Sequence, residues 1–291
     1  MRPLLPFPLL LSMLLCLAGP ATAAAEPTAV IHYFPVGAIY DFRWKLLELA
    51  LQHTARPGEP LPRLEPATGD NSQSRAVLQL EAGALEVVAL GSNEERVAQL
   101  LPVKIDILKG IIGLRVFIIR AEDQPRIGKM NVKALRTGLK YGLNNQWADL
   151  PVMKVNGFTV EGGVGYDNLF AMLEANRFDA FPRGLNEAYR ELELQRGKHP
   201  GLAVERSKAL YIPYPVYYWV NRKNTALARR IERGLRAALA DGSFRQLFEQ
   251  YHAQEIAQLA REPRQVLVLR NPHLKDAREH PDTSWWWHPN P

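Results

Sequence analysis

The stretch Gly113-Leu114-Arg115-Val116-Phe117-Ile118-Ile119-Arg120 is an almost unbroken apolar run, rich in β-branched and aromatic residues. A run of this length reads as a buried sheet strand and is far too short to span a bilayer. A second β-rich run follows at residues 214–220. Between the two lies a block with its own alternation of strands and helices. A self-contained α/β block entered by one apolar crossing segment and left by another predicts an inserted lobe hung on two hinge strands.

Working outward, the block contains strands at 139–143, 158–160 and 178–181. Helices are expected at 147–155, ended by Asn156-Gly157, and through Glu174, with Asp167 as its cap. A further helix at 184–195 stops near Gly197. Before the block, 30–34 and 85–90 read as strands. Residues 43–52 and 71–82 read as helices, the second opened by an Asn/Ser cap at Asn71-Ser72 and closed by Gly83. After it, helices at 225–240 and 243–252 are broken at Asp241-Gly242, and 266–269 is a last strand. The expected organisation is one discontinuous lobe of residues 26–118 and 214–291, including the tail, and a second lobe of 119–213.

Residues 1–25 have the parts of a secretory signal peptide. Arg2 precedes an apolar run from Leu4 to Leu17, and the small residues Ala21 to Ala25 follow. Cleavage after Ala23 or after Ala25 fits equally. Cys16 is the only cysteine, and Leu15 before it is bulky where a lipoprotein signal needs a small residue. The exported chain would then have neither a disulfide nor a cysteine-ligated metal. With 47% apolar residues it has enough core to do without them. The net charge of +6 is modest, and the basic residues are scattered among acids. No nucleic-acid partner is expected.

Three segments carry a family resemblance. Leu85-Glu86-Val87-Val88-Ala89-Leu90-Gly91-Ser92-Asn93-Glu94-Glu95-Arg96 looks like a strand, a Ser/Thr-rich loop and a T-x-x-R turn. Arg177-Phe178-Asp179-Ala180 looks like a G-x-x-D-A strand. The helix pair from Ala228 to His252, with its Asp-Gly break, is the third. In this order they resemble the periplasmic solute-binding proteins of the polar-amino-acid type, bacterial extracellular solute-binding family 3. A closer match is to a branch of that superfamily defined largely by fold. There, W-x-D-x-x-(I/V)-(L/M)-x-x-N-G-F corresponds to Trp147 through Phe158, Y-x-x-L-F-x-M-L to Tyr166 through Leu173, and R-F-D-x-F-P-R-G to Arg177 through Gly184. The resemblance implies an α/β, two-lobed periplasmic binding protein-like fold of type II with two hinge crossings. It also implies a periplasmic receptor that closes on a small polar solute for a membrane transporter or sensor.

The resemblance makes Arg96 the receiver of a ligand carboxylate, with Ser92 and Asn93 completing the clamp. A guanidinium suits that task because its planar fork matches a carboxylate bidentately. The alternative is a surface arginine paired with Glu94 or Glu95. Arg183 ends a strand where ligand-facing loops are expected. The family's amino-group aspartate is absent near it, so a plain amino-acid receptor is disfavoured. Glu187, four residues on, can instead form a structural ion pair with Arg183. Asn144, Asn145 and Trp147 occupy another cleft-facing loop, where Trp147 can stack on a ligand or anchor the core. Tyr33, Tyr40, Asp41 and Arg43 lie on the first strand-to-helix connection, where the family places an aromatic lid.

No catalytic residue, cofactor or metal is expected. The seven histidines form no ligand spacing, and no G-x-S-x-G elbow or P-loop occurs. Gly162-Gly163-Val164-Gly165 reads as a turn. The tail's Trp285-Trp286-Trp287 is expected to pack back on its lobe rather than form an exposed patch. The expected product is a monomeric solute-binding receptor. Two other readings stay open: a dehydratase-like periplasmic enzyme using Glu187 or Asp149, and a ligand-free protein-interaction module.

Overall fold

The computed structural model describes residues 29–34, 40–68, 72–274 and 279–288. The expected export signal, with Arg2, Cys16 and both cleavage positions, lies outside the described residues, as does Asn71.

The chain opens with β1 (Val30–Tyr33), α1 (Asp41–Gln52), β2 (Arg63–Pro66) and α2 (Gln73–Glu81). β3 (Val88–Gly91), α3 (Glu94–Gln99), β4 (Leu101–Val103) and β5 (Leu114–Arg120) follow. Next come α4 (Gln124–Gly128), α5 (Leu135–Gly138), β6 (Lys140–Asn144), α6 (Asp149–Val155) and β7 (Thr159–Gly163). Then α7 (Tyr166–Glu174), β8 (Phe181–Gly184), α8 (Leu185–Gln195), β9 (Leu202–Val204) and β10 (Lys208–Tyr211). The chain closes with β11 (Val216–Val220), α9 (Thr225–Ala240), α10 (Ser243–Arg261) and β12 (Gln265–Val268).

One sheet has β11 at its centre, antiparallel to β3 and to β4. Successive strand side chains point to opposite faces, so a strand covered on both sides reads as a continuous apolar run. Tyr217 and Trp219, with Val88 and Leu90, face α2 through Ala76, Val77 and Leu80. Val216, Tyr218 and Val220 face the larger core, which takes Leu46 and Leu47 from α1 and Ile231 and Leu235 from α9. The Trp219 indole N–H donates to the Leu90 carbonyl at 2.9 Å, so its burial leaves no orphan donor.

The other main sheet runs in the order β12, β10, β5, β8, and β9 also pairs with β5, over residues 118–120. β5 is antiparallel to β8, with Arg115 opposite Gly184 and Val116 opposite Arg183. β12 joins this sheet by parallel pairing with β10, so the chain returns from α10 to the sheet of β5 rather than to that of β11. The parallel pair β6–β7 touches it through the Tyr141–Ala180 bridge.

The first crossing run lies beside the segment that leads into the second, while the second itself, as β11, belongs to the other sheet. Tyr211 pairs with Leu114, and the Ile212 N–H donates to the Gly113 carbonyl at 2.9 Å. Half-buried Asp106 ties the same place together. Its carboxylate accepts from the backbone N–H groups of Val216 (2.9 Å), Leu108 (3.2 Å) and Gly110 (2.7 Å). Burial outweighs those three bonds and pushes its pKa up to about 6.

The tail is packed down. Trp285 meets Phe244 and Phe248 edge-on, and Trp287 meets Tyr211. The Trp286 indole N–H donates to the Lys109 carbonyl at 2.7 Å. Two local expectations are corrected. α10 continues past His252 to Arg261, because Ala253 to Ala260 offer helix-forming residues and no breaker precedes Pro263. Asp167 does not cap α7. Gly165 holds that position, and Asp167 sits in the first turn, accepting from the Gln195 side chain at 2.9 Å.

Candidate functional site

Two adjoining spaces lie where the β5–β8 edge meets α1, α2 and β11. Tyr40, Gln73, Trp147 and Arg183 wall both of them. The inner one is only about 80 Å³, and the outer one is about 1560 Å³.

The inner space is filled by the chain's own charges. Arg115 on β5 reaches Asp149 at the start of α6 (3.2 Å) and Glu187 on α8 (3.6 Å). Arg183 on β8 reaches Glu187 at 3.1 Å. It also donates from Nε and Nη2 to the two oxygens of Glu191, at 2.6 and 2.5 Å. Every one of these side chains is buried. Arg43 of α1 is buried beside them and donates to the Ala89 carbonyl at 2.8 Å. Such pairs persist in a dry interior only when their geometry is good, since desolvation costs several kcal/mol per ion.

Glu187 is the hub because three features converge on it. At the third position of α8 it accepts the Gly184 backbone N–H at 3.0 Å, which satisfies a helix-end donor. It also accepts the Tyr40 hydroxyl at 3.2 Å. Gly184 leaves the room for this, since a Cβ there would stand 2.7 Å from Asn186 Oδ1 and 3.1 Å from Glu187 Oε2. Burial alone would raise the Glu187 pKa, but Arg183, Arg115 and Arg43 outweigh it and hold the group below the usual carboxylate range. Glu191 goes the other way. Burial raises it, Arg183 opposes, and the neighbouring Glu187 charge adds to the rise. Arg183 is driven well above its ordinary value by the two carboxylates, against the burial that would lower it.

The outer cavity opens beyond this cluster. Its floor is Trp147, whose ring carries the Arg183 guanidinium at 4.4 Å and lies parallel to Phe181 at 6.0 Å. Tyr166 stands beside it, its phenol pKa raised by burial and then by Glu191. α8 and α10 form the far wall. Arg190 of α8 donates to Glu255 at 2.6 Å and to the Tyr251 carbonyl at 2.6 Å.

Asn144, Asn145, Trp147 and Arg183 line the outer cavity, and Trp147, Arg183 and Glu187 line the inner space. Arg96, Ser92, Asn93 and Tyr33 line neither. Arg96 is buried and donates to the Gly91 carbonyl (2.7 Å) and to Gln73 Oε1 (2.8 Å), so it meets the cavity through Gln73. Asn93 caps α3 by accepting the Arg96 N–H at 2.8 Å, and the Ser92 N–H donates to the Pro215 carbonyl. Tyr33 packs on Trp44 with ring centroids 4.1 Å apart.

Sequence reasoning missed Arg115, Glu191 and the wall from α10. Arg115 is a charge set inside a buried apolar strand, which signals a partner. Glu191 continues the i,i+4 row from Arg183 through Glu187. Among the described residues, no group of three or more His, Cys, Asp or Glu could hold a metal ion. None of the described helices is long and apolar enough to cross a membrane.

No family model and no curated protein sequence matches the chain. Solved structures do. An ancestral arginine-binding protein bound to arginine matches with a TM-score of 0.55 at 16% identity, covering 77% of this chain and 97% of that one. The VFT2 domain of BvgS from Bordetella pertussis matches at 0.56 and 15%, covering 77% and 92%. An ancestral amino-acid-binding protein, described as a precursor of cyclohexadienyl dehydratase, matches at 0.54 and 12%, covering 77% and 94%. At such identities the likeness establishes architecture: this chain has the two-lobed fold of the periplasmic binding proteins.

Proposed function

We propose that the chain is a periplasmic receptor that holds a polar, carboxylate-bearing solute between two lobes and presents it to a membrane transporter or a sensor. The observation that supports this reading best is the cavity of about 1560 Å³. In this reading residues 40, 72–73 and the end of α10 come to it from one lobe, and residues 144–147, 164–166, 183, 189–191 and 193–194 from the other. Concave sites with an apolar body and a few fixed polar groups are the usual form of small-molecule sites. The paired runs at 113–114 and 211–212 serve as the hinge, with residues 119–213 supplying most of one lobe. Closure then shifts the population between an open and a closed state.

Asn144, Asn145, Trp147 and Arg183 contact the solute, and Arg96 acts behind them by orienting Gln73. An enzymatic role receives less support. A proton donor needs a pKa near the working pH and a free carboxyl. Glu187 is held low by three guanidinium groups, Asp149 is paired with Arg115, and Glu191, though raised, has both oxygens held by Arg183.

Calorimetric titration with free amino acids, dicarboxylic acids and short peptides tests the reading, with Trp147→Ala and Asn145→Ala as controls. Binding by one class, weakened at least tenfold in both variants, is expected. Full affinity in both variants would remove this cavity from the reading. The absence of binding at millimolar concentrations across all three classes would remove the receptor function itself.

A further inference from the structure

We infer that the solute is a short peptide held in the outer cavity, and not a free amino acid held in the inner space. This rests on the receptor reading above and narrows its ligand.

The first argument is room. At a share of about 30 Å³ per water, the inner 80 Å³ accommodates two or three waters, well under the ~300 Å³ at which small-molecule sites begin. Its charged positions are also taken. Arg115 is engaged by Asp149 and Glu187, and Arg183 by Glu187 and Glu191. A free amino acid would have to displace an internal carboxylate to reach either arginine, leaving that carboxylate buried without its partner. Leaving one member of a buried pair without its partner is strongly unfavourable, and a single small zwitterion does not repay that loss. The outer cavity, by contrast, exceeds the ~1000 Å³ at which such sites usually end.

The second argument is chemistry. Side-chain amides are spread around the outer wall: Gln73, Asn144, Asn145, Gln146, Gln254 and Gln258. A carboxamide carries one acceptor oxygen and two N–H donors, so it pairs with both halves of a peptide group and needs no charge on the ligand. Val164 and Leu194 line the same cavity, and both are largely exposed. Exposed aliphatic groups in a cleft offer contact to apolar side chains. Arg190 is taken by Glu255, but Arg261 lines the α8–α10 side, exposed and, among the described residues, bonded only to the neutral Gln258 side chain, so a terminal carboxylate finds a guanidinium there. An aromatic platform for a sugar is less available. Trp147 lies against Phe181 and carries the Arg183 guanidinium, so the ring is already engaged.

The full exported chain is titrated calorimetrically with tri- to pentapeptides of leucine, alanine and glutamine, and with the same three free amino acids. Parent protein is compared with Val164→Glu, Leu194→Glu and the double variant Gln254→Ala/Gln258→Ala. Val164, Leu194 and Gln254 are exposed, so circular dichroism and melting are expected to match the parent. The inference requires peptides to bind at least tenfold more tightly than the free amino acids. It also requires at least tenfold weaker peptide binding in each variant. Free amino acids binding as tightly as peptides would overturn it while leaving the receptor reading intact. Peptide binding untouched by all three variants would do the same. No binding of either class by the folded parent would overturn both.

Discussion

Arg183 and Glu191 meet fork to fork inside the protein, two parallel bonds of 2.6 and 2.5 Å joining a strand end to the second turn of the helix that follows it. The pair fixes how β8 turns into α8, and it places the Arg183 plane over Trp147. Sequence, local geometry and cavity shape thus depend on one contact.

Breaking that contact from one side is expected to be worse than removing it. Arg183→Met and Glu191→Leu should each cost about 3–5 kcal/mol, because each leaves a buried charge without its partner. The double variant should cost clearly less than the sum. Urea denaturation of the four proteins gives the coupling energy directly, and simple additivity would show that the pair carries no special coupling.

His252 supplies an acid-sensitive element. It is buried against Phe42 and Phe248, and neither ring nitrogen has a hydrogen-bond partner among the described residues. Burial, then Arg190 and Arg43, lowers its pKa to about 3, whereas the unfolded chain protonates near 6.5. The unfolded state therefore binds more protons between those values, and stability falls as pH drops from 6.5 toward 3. Asp106 opposes this over part of the window. Its raised pKa makes the folded state the better proton binder between 3.8 and about 6. His252→Leu should raise stability at pH 5 relative to the parent by more than it does at pH 7.5, measured by thermal melting. An equal effect at both values would refute the assignment.

Gly234 in α9 is expected to reverse the usual helix rule. Replacing a mid-helix glycine by alanine ordinarily gains about 1 kcal/mol. Here a Cβ would lie 1.9 Å from the Ala50 carbonyl oxygen of α1, and backbone cannot step aside as a side chain can. Gly234→Ala should destabilise by at least about 2 kcal/mol in urea unfolding.

The tail contributes to the fold. Trp285 packs between Phe244 and Phe248, and the Lys109 ammonium lies 4.5 Å from its ring centre. Trp285→Ala should cost about 2–3 kcal/mol, read by chemical denaturation. A loss below 0.5 kcal/mol would mean that the tail only rests on the surface.

Much of the architecture is legible in the residues, since period and punctuation report local structure. The apolar run 113–120 became β5, the Asp241-Gly242 break separates α9 from α10, and Gly197 follows the end of α8. The strand expected at 85–90 begins only at Val88, because Val87 forms an isolated bridge to β1 instead of a ladder. The site is less legible. Asn144, Asn145, Trp147 and Arg183 could be picked from loop positions, but nothing local reveals that α10 returns to wall the same cavity. Nor does the T-x-x-R-like turn reveal that Arg96 spends its donors on Gly91 and Gln73. Those outcomes depend on distances between segments more than a hundred residues apart, or on which acceptor lies nearest, and no periodicity encodes them.

The charge cluster has a further consequence for encounter with the solute. Arg43, Arg115 and Arg183 are matched in number by Asp149, Glu187 and Glu191 within one small volume. Their fields largely cancel beyond a Debye length of about 8 Å at physiological ionic strength. The cleft therefore does little to draw a distant anion or cation, and salt should leave the association rate nearly flat where a one-signed funnel would show a steep decline. Recognition here works at contact range, by shape and amide pairing, after an unsteered arrival.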